Sequence, residues 1–64
     1  MDKFIYIEGI NLVNPEYVFE FVKAELKKSN ATPNELYEAV LNNYEGDASI
    51  SVIQQYVDEA LENL

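Results

Sequence analysis

The segment that most constrains the fold is Phe4-Ile5-Tyr6-Ile7, close to the N-terminus. A run of β-branched and aromatic residues is typical of a β-strand. Because side chains alternate across a strand, Phe4 and Tyr6 face one side while Ile5 and Ile7 face the other. A strand that is apolar on both faces needs cover on both, and its backbone groups need a hydrogen-bonding partner. We therefore expect this strand to be paired.

Three partners for the strand stay open at this point. No later segment matches its strand propensity, and we interpret residues 9–14 as a connector. Ala48–Val52 forms a short strand beside it, or the same strand of a second copy pairs with it across a two-fold axis, or a different partner protein covers it. The second alternative predicts a homodimer that is joined through the N-terminal strand, with Phe4, Ile5, Tyr6 and Ile7 as its contact residues.

Two amphipathic helices are predicted after the connector. Asn14 followed by Pro15 is typical of a helix start, and apolar residues at helical spacing predict a helix over about 15–28. Thr32-Pro33-Asn34-Glu35 has the pattern of a capping box, so a second helix of about three turns begins at Pro33. Gly46 is suited to the stop signal after this helix.

A third helix is predicted from the turn after Gly46 to the C-terminus. Apolar residues recur at three- and four-residue steps from Ile50 to Leu64. Ser51 begins a second capping-box pattern, although Asp47 or Ser49 could serve as the cap instead. The expected fold is mainly α, with a short N-terminal β-strand followed by three amphipathic helices in the order β-α-α-α. Residues 1–64 are expected to form a single small acidic domain.

The composition argues against catalysis. The chain has no Cys and no His, which removes disulfides, thiolate and imidazole metal ligands, and the commonest general base. Its only glycines are Gly9 and Gly46, so neither a phosphate-binding loop nor a dinucleotide fingerprint is present. The carboxylates fall on predicted polar helix faces. We therefore predict that the protein is not an enzyme, with no catalytic residues, no cofactor and no metal ligands.

The charge is strongly asymmetric along the chain. All four Lys lie within residues 1–28, whereas residues 29–64 carry seven acids and no base. Such a surface repels phosphates, so we expect no direct binding to nucleic acid. Two interpretations remain open: the charge maintains solubility, or it contacts a basic partner protein, as an acidic inhibitor or nucleic-acid mimic does.

The second interpretation gives a candidate binding patch. Tyrosine offers a large contact area at low entropic cost, and several tyrosines of this chain stand near carboxylates in the predicted helices. The candidate partner-binding residues, called here the acidic tyrosine patch, are Glu35, Tyr37, Glu38, Tyr44, Glu45, Tyr56, Asp58 and Glu59. The alternative is that these tyrosines only border the hydrophobic core.

Residues 43–54 lie between two predicted helices and resemble the calcium-binding loop of EF-hand proteins. An Asn and two acids occupy the first, third and fifth positions of this segment. The segment departs from the EF-hand pattern at Ala48, where the loop has Gly, and at Gln54, where a bidentate Glu closes the site. The resemblance implies a degenerate calcium site as a third functional alternative.

The expected location is the cytoplasm. The N-terminus lacks the basic and apolar regions of a signal peptide, and no apolar stretch is long enough to span a membrane. A chain without Cys is also suited to a reducing compartment. We expect no contact with a membrane.

Overall fold

The computed structural model describes all 64 residues as a β-hairpin followed by three α-helices. The elements are β1 (Phe4–Ile7), β2 (Ile10–Val13), α1 (Pro15–Lys28), α2 (Pro33–Asn43) and α3 (Ile50–Glu62). The predicted mainly α class is confirmed. The molecule is elongated, with extents of 37 × 20 × 17 Å. None of the three helices combines the length and the apolar character that a bilayer crossing requires.

The partner of β1 is β2, which pairs with it in antiparallel orientation. The interpretation of residues 9–14 as a connector was therefore wrong. The register places Phe4 opposite Val13 and Ile7 opposite Ile10. The suggestion that Ala48–Val52 supplies a strand was also wrong, because α3 already begins at Ile50. Pairing with a second copy stays a prediction for the other edge of β1.

A two-residue turn connects the strands of the hairpin. Glu8 and Gly9 have φ values of 49° and 83°, and two consecutive positive φ angles are what a type I′ turn requires. This turn matches the natural twist of paired strands. Gly adopts the conformation freely, whereas Glu8 does so at a cost of about 1–2 kcal/mol. The turn therefore accommodates Glu8, although Gly, Asn or Asp would adopt this conformation at lower cost.

The predicted starts of α1 and α2 are confirmed by their hydrogen bonds. The Asn14 Oδ1 atom accepts a hydrogen bond from the Glu16 backbone N–H at 3.0 Å. Thr32 and Glu35 form the complete capping box: the Thr32 Oγ1 atom accepts from the Glu35 N–H at 3.2 Å, and the Glu35 Oε1 atom accepts from the Thr32 N–H at 2.8 Å. Each box or cap satisfies N–H groups that have no partner within the helix.

The start of α3 follows the alternative cap rather than the Ser51 pattern. Ser49 is the N-cap residue, and its side chain accepts no hydrogen bond from the helix backbone. Its Oγ atom instead lies 2.9 Å from the Ser51 Oγ atom. The two hydroxyls satisfy each other, which leaves the first turn of α3 without side-chain capping.

The core is formed by one stripe of each helix and one residue of β2. It contains Val13, Val18, Val22, Leu36, Val40, Tyr44, Ile53, Val57 and Ala60. Burial of a Val, Leu or Ile side chain stabilises the folded state by about 1.5–3 kcal/mol. No buried polar side-chain atom lacks a hydrogen-bond partner. Burial of these apolar stripes is the main interaction between the helices, and the part-buried hydrogen bond from the Asn43 side-chain amide to the Tyr17 hydroxyl adds a polar contact between α2 and α1.

Tyr44 attaches the hairpin to the helices. Its ring packs edge-on against Phe4 and Tyr17, with centroid separations of 5.2 and 5.8 Å. Its hydroxyl donates a hydrogen bond to the Lys3 backbone carbonyl at 2.8 Å. The Lys3 ammonium lies 5.7 Å from the centroid of the Tyr44 ring and donates to the Asn43 carbonyl at the end of α2. The hairpin is thus fixed to the C-terminal end of α2.

Replacing Tyr44 by Phe tests this attachment. Burial raises the pKa of Tyr44 to about 12, whereas an unfolded tyrosine titrates near 10. Tyr44→Phe should lower the free energy of unfolding by about 1 kcal/mol below pH 10, since one hydrogen bond is lost. Because the pKa is higher in the folded state, neutral Tyr44 contributes its full stabilisation of the fold below about pH 10. This stabilisation is lost as the pH rises through about 12.

Urea unfolding between pH 8 and pH 12, followed by circular dichroism, measures both effects. The stability difference between the unsubstituted chain and Tyr44→Phe should shrink above pH 10. Tyr6→Phe is the matched control, because Tyr6 is 72% exposed. A difference that stays constant up to pH 12 would contradict the role assigned to the Tyr44 hydroxyl.

Candidate protein-interaction site

The acids of the C-terminal half are all on the surface. Every acid of residues 29–64 is exposed, namely Glu35, Glu38, Glu45, Asp47, Asp58, Glu59 and Glu62. None of them forms a salt bridge, since the two ion pairs of the molecule join Lys23 to Glu20 and Lys28 to Glu25 within α1. The net charge of −7 on this half is therefore not neutralised inside the chain.

Tyr37 and Asp58 of the acidic tyrosine patch are in direct contact. The Tyr37 hydroxyl donates a hydrogen bond to the Asp58 Oδ1 atom at 2.5 Å, which connects α2 to α3. This bond to the carboxylate raises the pKa of Tyr37, and partial burial and the Asp58 charge act in the same direction. Asp58 is exposed and Tyr37 is half-buried, so the carboxylate of the pair is the part that a partner can reach.

Glu35 has a structural role in addition to its exposure. The hydrogen bond that its carboxylate accepts from the Thr32 backbone lowers the pKa of Glu35, and the Thr32 side chain contributes in the same direction. Glu35 is therefore ionised over a wide pH range and completes the start of α2. A partner that binds here meets a carboxylate whose position is already fixed.

Of the other residues of the acidic tyrosine patch, Glu38 lines a groove together with Tyr37, but several lie elsewhere. Tyr56 and Glu59 line a separate groove between α1 and α3, beside Phe19. Glu45 lies in the turn after α2. Tyr44 is only 2% exposed, so its inclusion in a binding surface was wrong: the ring fills the space beneath the hairpin. The patch therefore divides into two sides of α3.

The outward side of the hairpin is aliphatic and uncovered. By the register, its side chains are those of Ile5, Ile7, Ile10 and Leu12, with exposures of 38%, 49%, 59% and 45%. The opposite side carries Phe4 and Val13, which pack against the core. We call the four exposed residues the aliphatic face. Adjacent apolar side chains of this kind mark interaction surfaces when they form a continuous patch.

The outer edge of β1 is also free. The Asn14 N–H donates to the Lys3 carbonyl at 2.9 Å, which makes these two residues a hydrogen-bonded pair of the ladder. Because such pairs alternate along antiparallel strands, the backbone groups of Phe4 and Tyr6 point away from β2. None of the hydrogen bonds outside the regular elements involves either residue's backbone. β1 can therefore accept a further strand.

The segment that resembles an EF-hand covers the end of α2, a short turn and the start of α3. No group of three or more acidic, His or Cys side chains is placed to hold a metal ion. α2 extends to Asn43 and α3 begins at Ile50, so the connection is much shorter than an EF-hand loop of about 12 residues. Tyr44, in the second position of the segment, belongs to the core. The calcium alternative stays a prediction.

Two grooves lie beside α3, and sequence patterns did not reveal either. The groove between α1 and α3 has a volume of about 220 Å³. The groove between α2 and α3, called here the α2–α3 groove, has a volume of about 360 Å³. It is lined by seven residues, namely Asn34, Tyr37, Glu38, Leu41, Ile50, Ile53 and Gln54. Helical periodicity indicates which residues turn inward, but the gap between two helices depends on how they pack.

No protein-family model, curated protein or solved structure matches this chain. Its possible functions are therefore inferred from three surfaces: the exposed acids, the aliphatic face and the α2–α3 groove. The aliphatic face lies on the hairpin, whereas the α2–α3 groove and most of the exposed acids share α2 and α3. Substitutions can therefore separate the contribution of the hairpin from that of the helices.

Replacing Asp58 by Asn should lower the pKa of Tyr37 toward its ordinary value of about 10, because the acceptor loses its negative charge. The pKa is measured by NMR titration of the tyrosine ring carbons. Glu59→Gln is the control, since it removes one charge from the adjacent residue of α3. An equal decrease in both variants would show that the general negative field, rather than the hydrogen bond, controls Tyr37.

Proposed function

We propose that this protein is a non-catalytic protein-binding module whose acidic helices contact a basic partner protein, in the manner of an inhibitor or nucleic-acid mimic. The observation that supports this proposal is the exposure of all seven acids of residues 29–64 without any internal salt bridge. A surface of this charge repels nucleic acid directly, but it is complementary to proteins that bind nucleic acid.

The strength of such binding depends on several acids acting together. A single exposed ion pair contributes about 0–1 kcal/mol, and salt screens it. Long-range attraction from many like charges increases the association rate far more than one contact does. The proposed partner therefore presents an extended basic surface, and its binding weakens as the salt concentration rises.

We also propose a cytoplasmic location and the absence of catalysis. Both proposals are supported by the composition, because neither Cys nor His occurs in the chain. All seven carboxylates of residues 29–64 are exposed to solvent. A catalytic carboxylate usually needs a desolvated or strongly perturbed environment.

Neutralising Glu35, Glu38, Asp58 and Glu59 together, as Gln or Asn, tests the acidic-surface proposal. The unsubstituted chain should capture basic proteins from nuclease-treated cell lysate at low salt and release them at high salt. The fourfold variant should bind the captured partner about 10- to 100-fold more weakly, since four modest ion pairs are lost. Binding of the purified partner is measured by calorimetry.

A variant with equal charge change provides the control. Neutralising Asp2, Glu8, Glu16 and Glu20 removes the same number of charges from the N-terminal half. This variant should retain most of the affinity. Capture that is insensitive to salt, or affinity that survives the fourfold change in α2 and α3, would mean that the acids serve only solubility.

A second candidate function is that of a structural homodimer or assembly component joined through β1. It is favoured by the aliphatic face and by the free edge formed by Phe4 and Tyr6. Residues 3–14 contain one Lys and one Glu, so the hairpin lacks the repulsive charge of the helices. Antiparallel pairing of β1 with β1 of a second copy would make a four-stranded sheet with a continuous aliphatic side.

Replacing Ile5 by Lys tests the homodimer. Ile5 is 38% exposed, so the variant should fold, but like charges would meet across the two-fold axis. We expect a monomer at concentrations where the unsubstituted chain is a dimer, as measured by analytical ultracentrifugation. Asn11→Lys, on β2 and the other side of the hairpin, should remain dimeric. A monomeric unsubstituted chain, or an unchanged mass in folded Ile5→Lys, would exclude this candidate.

A further inference from the structure

We propose that the α2–α3 groove binds a basic amphipathic helix of the partner protein, which inserts apolar side chains into the groove and places cations along its acidic border. This inference rests on the proposed acidic-surface function and assigns the binding site to one part of that surface. It differs from general charge attraction because it requires a specific apolar contact.

Four of the seven residues that line the groove are apolar or aromatic, and the polar side chains of Asn34 and Gln54 line it as well. Ile53 is buried at its base, with 1% exposure, whereas Ile50 stands at its opening with 61% exposure. Leu41 and the ring of Tyr37 are partly buried and line it from α2. A volume of about 360 Å³ lies at the small end of the range of ligand sites. A groove of this volume accommodates one or two large side chains of a partner protein.

The border of the groove is acidic. Glu38 lines it directly and is exposed. The Asp58 carboxylate accepts a hydrogen bond from the Tyr37 hydroxyl at 2.5 Å. This bond fixes the Tyr37 side chain, which lines the groove, and places a second carboxylate beside it. No Lys lines the groove, and all four Lys of the chain precede residue 29. An incoming cation therefore finds carboxylates with no competing positive charge.

An amphipathic basic helix satisfies both features of the groove. Its apolar residues at three- and four-residue spacing reach an apolar groove, while its Lys and Arg residues flank them. A second copy of this chain is a poor occupant, because its helices expose carboxylates that the border would repel. An uncharged helix could fill the groove but would gain nothing from Glu38 and Asp58. The combination selects a partner that is both apolar and basic.

The test uses a synthetic peptide of Leu and Lys arranged as an amphipathic helix, with a scrambled peptide of identical composition as the control. At physiological salt the amphipathic peptide should bind at least about tenfold more tightly than the scrambled peptide. Ile50→Ser should remove most of that preference, since it deletes the exposed apolar contact. Leu64→Ser is the matched control. The exposed fraction of Leu64, 56%, is similar to that of Ile50, 61%, but Leu64 lies beyond the end of α3 and outside the groove. It should leave binding unchanged.

Calorimetry gives the affinities, and amide chemical-shift changes locate the peptide. Shifts concentrated on α2 and α3 around Leu41 and Ile50 would support the inference. Equal binding of both peptides, with no effect of Ile50→Ser, would contradict binding in the groove. The acidic surface would then attract basic peptides by charge alone. Shifts concentrated on the hairpin would assign the apolar contact to the aliphatic face. Absence of binding to either peptide would overturn both the groove and the acidic-surface function.

Discussion

The buried ring of Tyr44 connects two parts of the molecule that otherwise have little in common. On one side lie the helices, held together by burial of aliphatic stripes; on the other lies a hairpin whose outward side chains remain in water. The ring contacts Phe4 and Tyr17, and its hydroxyl holds the Lys3 carbonyl. The position of the aliphatic face relative to the acidic helices therefore depends on Tyr44, together with the Val13 side chain in the core and the Lys3 bond to the Asn43 carbonyl.

The helices could be predicted because their signals are local. Asn14 and Thr32 satisfy N–H groups within three residues of themselves, so their sequences alone identify the starts of α1 and α2. The hairpin was missed for a different reason. Its turn is Glu8-Gly9 rather than the familiar Asn-Gly or Asp-Gly, and Glu8 takes a positive φ that its residue type does not favour. Pairing with β1 overrides that local preference.

The candidate site was only partly predictable. Net charge follows directly from composition, and the exposure of the acids agrees with their places on polar helix faces. The division of the acidic tyrosine patch could not be predicted from the sequence. Tyr37 lines the groove between α2 and α3, whereas Tyr56 lines the groove between α1 and α3, and both grooves depend on how the helices pack. Tyr44 continues the helical spacing of the buried residues Leu36 and Val40, so the sequence was consistent with a buried as well as with an exposed tyrosine. The hairpin covers the ring, and its position could not be predicted from helical spacing.

The narrow attachment of the hairpin has a consequence for how the protein opens. Separating β1 and β2 from the helices exposes Phe4, Val13 and part of Tyr44, which is far less apolar surface than global unfolding exposes. Segments with few buried contacts open at lower free-energy cost than the core does. Backbone amides of the hairpin should therefore exchange with solvent while those of α2 remain protected. Each opening releases a short, uncharged strand of high β-propensity, the type of segment that seeds aggregation. The negative charge of the helices opposes association of such opened molecules in concentrated solution.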